Sequence, residues 1–191
     1  LRPASVAEFL DALTPEEIWQ VLKLLDRSER AEVFSFLEIE TQAEVAETVG
    51  RQSLAELLEE MAPDDGADLV QVLDDSLVEQ ALSLVAEEER DDLQSLVSYP
   101  LETAGAKMTT DYVALEADLT VAEAIDRLRE SSEEAETIYV VYVVDDDERL
   151  AGVVSLRSLV LARPDRRISD LMTTDVIRAR VDEDQEEVAA K

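Results

Sequence analysis

Met108-Thr109-Thr110-Asp111-Tyr112-Val113 returns 64 residues later as Met172-Thr173-Thr174-Asp175-Val176-Ile177. The same offset relates two pairs of acidic residues, Asp118 with Asp182 and Glu123 with Glu187. A repeat that keeps its spacing over this length indicates a tandem structural unit. The second copy stops at Lys191, inside the stretch that matches the first helix of the first copy. We therefore expect one complete unit and the beginning of another.

The first copy has a mixed strand and helix pattern. Its β-branched clusters are typical of strands, and they lie at Val113, at 138–144 and at Val153-Val154. Between the first two lies a helical stretch, Val121 to Arg129, with Thr120 placed to cap it. A second helix is predicted at Leu156 to Leu161.

The acidic run Asp145-Asp146-Asp147-Glu148 falls between the second and third predicted strands. It lacks the central Gly and the distal Glu of an EF-hand calcium loop. The run is therefore predicted to be a turn, and the unit has the order strand, helix, strand, turn, strand, helix.

The region before the repeat has a different period. From Val6 to Tyr99 the apolar residues recur every three or four positions, which is the spacing of amphipathic helices. Helix-start signals interrupt the run at Thr14-Pro15, at Ser28, at Ala62-Pro63 and at Asp75-Ser76. A shift of 48 residues places Pro15 on Pro63. This weak repeat predicts a solenoid of stacked helical hairpins, and the alternative, unrelated Leu-rich helices, leads to the same all-α class.

The composition excludes several functions. The chain has 47 acidic and 17 basic residues and a net charge of −30, so it repels nucleic acid and attracts cations. This charge is either a solvated acidic surface or a set of hard-cation sites. The chain has no Cys and no His, which removes thiolate chemistry, the usual zinc sites and histidine catalysis. Nothing in the sequence singles out a pair of carboxylates with opposed environments, as a general acid and base would require, so we predict no enzyme.

The longest apolar run, Ile138 to Val144, has seven residues. A membrane-spanning helix needs about 20 apolar residues, so no segment of this sequence is predicted to cross a bilayer.

The unit with the Met-Thr opening resembles the CBS module. That family has a Gly-hydrophobic-hydrophobic-Ser/Thr stretch leading into a helix, and Gly152-Val153-Val154-Ser155 matches it. We therefore predict an α+β multidomain chain. Its expected parts are a helical superhelix at 1–100, a first CBS module at 101–163 and the incomplete start of a second at 164–191.

A helical superhelix that runs directly into CBS modules resembles the cytosolic region of MgtE magnesium channels. The junction from Tyr99 to Tyr112, with Ala104-Gly105 before the Met-Thr, is similar to that family's linker. Glu136-Thr137-Ile138-Tyr139 and Tyr142-Val143-Val144-Asp145 are also similar to MgtE sequences.

The resemblance implies a homodimer that pairs through its CBS modules and regulates a transmembrane pore domain of the same parent chain. The fragment would then lie at the cytoplasmic face of the cell membrane and sense Mg²⁺, which would hold the pore closed. The alternatives are a soluble CBS interaction module without a pore and a domain regulated by adenine nucleotide that ignores Mg²⁺.

The resemblance also implies a metal site formed by Glu32, Asp64 and Asp68. Asp64 and Asp68 are four residues apart, so on a helix they share a face, where two like charges cost stability unless a cation offsets them. Mg²⁺ keeps most of its waters and is bound through one or two carboxylates. The alternative is that Asp64 only serves the positive end of the helix dipole.

Some CBS pairs, including some MgtE proteins, bind ATP. The acid that usually holds the ribose follows the Arg of the Gly-x-x-Ser/Thr stretch, and here it is replaced by Ser158 after Arg157. An aromatic that could stack on adenine is replaced by Val140. ATP binding by this fragment is therefore not expected.

Overall fold

The computed structural model describes residues 2–130 and 138–191. Glu136 and Thr137, which carried part of the resemblance, lie outside these residues. The chain divides into two compact units. The first combines Leu1–Thr110 with Arg180–Ala190, and the second is formed by Asp111–Ala179 with Lys191. In the described part of the chain, no helix combines the length and the apolar character that crossing a membrane requires.

The first unit is helical throughout its first hundred residues. Its helices are α1 (Pro3–Leu10), α2 (Pro15–Leu22), α3 (Arg27–Ser35), α4 (Ile39–Leu58), α5 (Pro63–Val72), α6 (Asp75–Leu82) and α7 (Glu87–Val97). The long helix α4 lies at the centre, where it packs against α2, α3, α5 and α6, while α7 packs on α5. The core is aliphatic with one aromatic, and its fully buried side chains include Leu10, Ile18, Leu22, Phe34, Leu54, Leu57, Leu69, Leu93 and Leu96. The predicted all-α class is confirmed.

The helix starts follow local chemistry. Pro15 and Pro63 stand at the first position of α2 and α5, where the missing N–H costs no hydrogen bond. A helix starts next to Ser28, as this signal predicted, although Ser28 is not its cap. Helix α3 begins at Arg27, because the Asp26 carboxylate accepts a hydrogen bond from the Glu29 amide at 2.9 Å.

Gly50 breaks the central helix α4. Its backbone, at φ 77° and ψ 173°, lies in a region that is essentially restricted to glycine. The Gly residue therefore joins two helical segments across a kink, and the chain can change direction between the parts of the core that precede and follow it.

The described residues of the second unit form a three-stranded sheet, two α-helices and a short 3₁₀ helix, Ile168–Asp170. Its elements are β1 (Ala114–Glu116), α8 (Val121–Glu130), β2 (Val140–Val144), β3 (Leu150–Ser155) and α9 (Leu156–Leu161). Strand β2 is central, parallel to β1 and antiparallel to β3. Its Val141 and Val143 are fully buried, whereas Val140 and Tyr142 on the opposite face are exposed. The predicted order of elements and the α+β class are confirmed.

The acidic run forms the turn between β2 and β3. One carboxylate oxygen of Asp145 accepts hydrogen bonds from the amides of Asp147 and Arg149, both at 3.0 Å. Glu148 adopts φ 58° in this turn. Asp145 thus has the local role that Asp usually takes in turns.

The sequence repeat reappears in the backbone pairing. We call the short segment before the Met-Thr opening of each copy its lead-in; it contains Thr103 in the first copy and Arg167 in the second. Each lead-in pairs with the residues just before the first helix of a copy. In the second unit Thr120 pairs with Arg167, and in the first unit Asp184 pairs with Thr103. Asp184 is the repeat equivalent of Thr120 and Thr103 is that of Arg167, each 64 residues away, so the two copies exchange partners. The hydrogen bond from the Ile168 amide to the Leu119 carbonyl (2.9 Å) corresponds to that from Ala104 to Glu183 (2.8 Å).

This exchanged pairing fixes where the end of the chain lies. Residues 180–190, with α10 (Gln185–Ala189), belong to the first unit because they pair with the lead-in of the first copy. The lead-in of the second copy stays in the second unit, where Ile168 is fully buried and Thr173 pairs with Val153. The start of the second copy is thus divided between the two units.

A Gly50→Ala substitution should destabilise the first unit. A side chain at this backbone conformation costs on the order of 1–3 kcal/mol. Beyond the adjacent residues and the backbone of the same helix, no atom lies within 4 Å of the new Cβ to offset that cost. Chemical denaturation followed by circular dichroism measures the loss. The exposed Glu47→Ala on the same helix is the control and should change stability much less. A Gly50→Ala protein as stable as the control would contradict the backbone geometry.

Glu123 should make stability depend on pH. The Thr120 hydroxyl and amide donate to its carboxylate at 2.7 and 2.8 Å, and these hydrogen bonds lower the pKa of Glu123 below the usual 4.5. A carboxyl whose pKa is lowered by folding contributes stability above its unfolded pKa, and that contribution is lost as the pH falls through the folded pKa.

The substitution Glu123→Gln should therefore lower the melting temperature near neutral pH, and the difference from the parent should shrink as the pH falls below about 4.5. Glu130→Gln, at the other end of α8, is the control. A Glu123→Gln deficit that stays constant down to acid pH would show that the charge of Glu123 contributes nothing.

Candidate functional site

Helix α5 presents two of the three predicted ligands. Pro63 sets its first turn, and the buried side chains of Ala67, Leu69 and Val70 hold the helix against its neighbours α4 and α7. Asp64 and Asp68 are both partly buried and are one helical turn apart, so they share a face. The predicted pairing of these two aspartates on one helix is therefore present.

Asp68 forms an ion pair that the sequence did not indicate. The Lys107 ammonium lies 3.1 Å from Oδ1 and 2.9 Å from Oδ2 of Asp68. Lys107 ends a 3₁₀ turn, Ala104–Lys107, which packs on α5 and α7. Gly105 permits this approach, because a Cβ atom there would lie 2.6 Å from the Tyr99 ring.

Asp64 has a different environment. Its Oδ1 is buried and has no hydrogen-bond partner. A buried acceptor without a donor costs about 1–3 kcal/mol, and more when it is charged. Such an atom is suited to a bound cation or to a water that a cation carries. Together with Asp68, it fits the one or two carboxylates through which Mg²⁺ is bound in proteins.

Glu32 lies elsewhere in the first unit. It is exposed on α3, a helix that packs on α1, α2 and α4. Within residues 2–130 and 138–191 no three acidic side chains converge on a point that could hold a metal ion. The structure therefore brings Asp64 and Asp68 together without Glu32, and the three-residue site stays a prediction.

A pocket of 490 Å³ opens on the second unit. It is lined by Tyr139, Ser155, Leu156, Arg157, Val160 and Leu161. The Ser158 hydroxyl lies 2.8 Å from that of Ser155, which also accepts a hydrogen bond from the Ser158 amide and caps α9. Among the described residues of this lining, Arg157 carries the positive charge.

Two family models match the chain over nearly all of its first 165 residues. The MgtE intracellular N domain matches residues 1–102, and the CBS domain matches residues 104–165. The chain belongs to the MgtE family.

Curated relatives support this membership. The magnesium transporter MgtE of Thermus thermophilus is 39% identical over an alignment of 192 positions, which covers 99% of this chain and 43% of the relative. MgtE of Bacillus subtilis is 36% identical over 141 residues, or 74% of this chain and 31% of the relative. The chain thus spans less than half the length of the curated MgtE proteins that it matches.

Solved structures agree with the fold. The cytosolic domain of the Mg²⁺ channel MgtE, crystallised in complex with ATP, has a TM-score of 0.92 and 39% identity, covering 100% of this chain and 78% of that one. The soluble part of a magnesium transporter has a TM-score of 0.70 and 35% identity, covering 98% of this chain and 79% of that one. These matches confirm a helical domain followed by a CBS sheet module.

ATP should bind to this MgtE chain weakly or not at all, although the solved MgtE relative was crystallised with it. Ser158 supplies a hydroxyl that already bonds Ser155, where a carboxylate would accept two ribose hydroxyls. Calorimetric titration with ATP measures the affinity. Ser158→Asp should bind ATP more tightly than the parent. A sub-micromolar dissociation constant for the parent would contradict the prediction.

Proposed function

We propose that this chain is the cytosolic Mg²⁺-sensing and gating region of a magnesium channel, and that Mg²⁺ bound through its acidic residues stabilises the closed pore. The observation that carries the proposal is the Asp64 and Asp68 pair of an MgtE chain, in which a buried carboxylate oxygen of Asp64 has no partner. We include Glu32 as the third ligand on the strength of the family resemblance.

The physical basis is electrostatic. Acidic surfaces that face each other across an interface repel, and a bound divalent cation reverses the sign of that interaction. A chain with a net charge of −30 is strongly biased towards separation when no cation is bound. A ligand moves such an equilibrium only by binding one state more tightly than the other. Mg²⁺ would have that preference if its ligands come from two surfaces that meet only in the closed state.

The partners follow from the same proposal. We infer a homodimer formed through the CBS modules and a pore domain in the same parent protein, at the cytoplasmic face of the cell membrane. Apolar side chains left exposed on the second unit support a partner there; they are Tyr139, Val140, Val160 and Leu161. These apolar side chains are not the basic groups that bind nucleic acid, and the net charge of −30 repels it. We keep the boundaries 1–100, 101–163 and 164–191 as the proposed domain division.

A second candidate is a soluble CBS interaction or signalling module regulated by nucleotide. The pocket beside Arg157 favours it, because its apolar lining and single cation suit a base and a phosphate. Ser158 and Val140 stand against this candidate, as they replace an acid and an aromatic. Magnesium binding without ATP binding would decide for the first proposal.

Mg²⁺ should raise the melting temperature beyond what ionic strength explains. A ligand that binds only the folded state adds about 1–3 kcal/mol of stability at ten to a hundred times its dissociation constant. Choline chloride at matched ionic strength controls for screening of the acidic surface. The excess effect of Mg²⁺ should shrink in the double variant Asp64→Asn, Asp68→Asn.

The matched control is Glu40→Gln, Glu44→Gln on α4. It removes the same charge from exposed acids at the same spacing, and Glu40, like Asp64, stands in the first turn of its helix. Equal responses to Mg²⁺ in both double variants and in the parent would show that Asp64 and Asp68 do not hold the ion. Glu32→Gln tests the third ligand in the same way.

A further inference from the structure

The Lys107 ammonium contacts both carboxylate oxygens of Asp68, at 3.1 and 2.9 Å. Both side chains remain about two-fifths exposed, with relative exposures of 43% and 40%. The two residues are 39 positions apart, so the pair is a tertiary contact, made where the turn Ala104–Lys107 meets α5.

This contact supplies the positive charge that the two aspartates require. Two carboxylates at a spacing of four residues repel, and Lys107 offsets that repulsion when no metal ion is bound. It contacts Asp68 directly and leaves Oδ1 of Asp64 without a partner.

A hydrated Mg²⁺ at this position needs the same oxygens. A carboxylate accepts through its two oxygens, and the ammonium lies within hydrogen-bond distance of both oxygens of Asp68. Two cations held on one carboxylate would also repel each other at short range. Ion and ammonium therefore exclude each other at Asp68.

We propose that Lys107 is a tethered counterion that competes with Mg²⁺ for Asp68 and so sets the ion concentration at which this site fills. The inference rests on the proposed function, because it assumes that Asp64 and Asp68 bind the ion. Lys107 must leave Asp68 when Mg²⁺ binds. Because the ion pair is partly exposed and screened by solvent, the competition should weaken Mg²⁺ binding by about two- to fivefold.

The test compares three variants of the whole 191-residue chain by calorimetric titration with MgCl₂. Lys107→Met removes the ammonium and should tighten Mg²⁺ binding by about two- to fivefold. Lys107→Arg keeps a cation and should not tighten it. Lys23→Met is the matched control, since it removes the same charge from an exposed lysine of the same unit. It should change the affinity less than Lys107→Met.

The second readout is the melting temperature, measured first without Mg²⁺ and then with it. Without Mg²⁺, Lys107→Met should lower the melting temperature relative to Lys23→Met, because Asp64 and Asp68 then repel without compensation. Saturating Mg²⁺ should abolish that deficit. In an Asp68→Asn background, Lys107→Met should change the melting temperature and the affinity no more than Lys23→Met does, because the competing pair no longer exists.

The outcomes separate this inference from the function on which it rests. If Asp64→Asn, Asp68→Asn leaves Mg²⁺ binding unchanged, the ion binds elsewhere, and both the proposed site and the competition are wrong. If that double variant weakens binding but Lys107→Met binds Mg²⁺ no more tightly than Lys23→Met, only the competition is wrong. Tighter binding by Lys107→Met that persists in the Asp68→Asn background would also overturn it.

Discussion

Backbone pairing between the lead-in of each repeat and the segment before a first helix closes both units of this protein. The two pairings, Thr120 with Arg167 and Asp184 with Thr103, are related by the repeat offset. In the second unit the pairing buries Ile168 against the sheet. In the first it holds the turn Ala104–Lys107 beside α5 and α7. The position of Lys107 against Asp68 thus depends on hydrogen bonds made by main-chain atoms, which only a substitution to proline at a donor position would remove directly.

Much of the second unit could be predicted from the sequence, because its signals are local. The β-branched cluster of β2, the acidic turn and the capping residue Thr120 each act within a few residues, and α9 occurs where it was predicted. In the first unit the periodicity identified the helices but did not show which helices pack against each other. Asp26 caps α3 two residues before the predicted Ser28, since several polar residues there compete for the same amides.

The candidate site was predictable only in part. A spacing of four residues placed Asp64 and Asp68 on one face, which is a property of any helix. Lys107 is 39 residues from Asp68, and no periodicity relates positions so far apart. The same limit applies to Glu32, whose relation to α5 depends on how helices stack. Sequence patterns thus identify which residues share a face of one helix. The packing of the elements decides which of those faces meets a residue of opposite charge.

The exchanged pairing also has a consequence for the order of folding. Thr103 leaves the ribosome well before its partner Asp184, about eighty residues later, and synthesis at roughly 5–20 residues per second makes that several seconds. During this interval α1 to α7 can already pack, because their contacts are closer in sequence, while the 3₁₀ turn and its lysine lack the segment around Asp184 that holds them. Closing so long a loop carries an entropic cost that shorter contacts avoid. The lysine that faces α5 would therefore be fixed last, after the helical core has formed around the two aspartates.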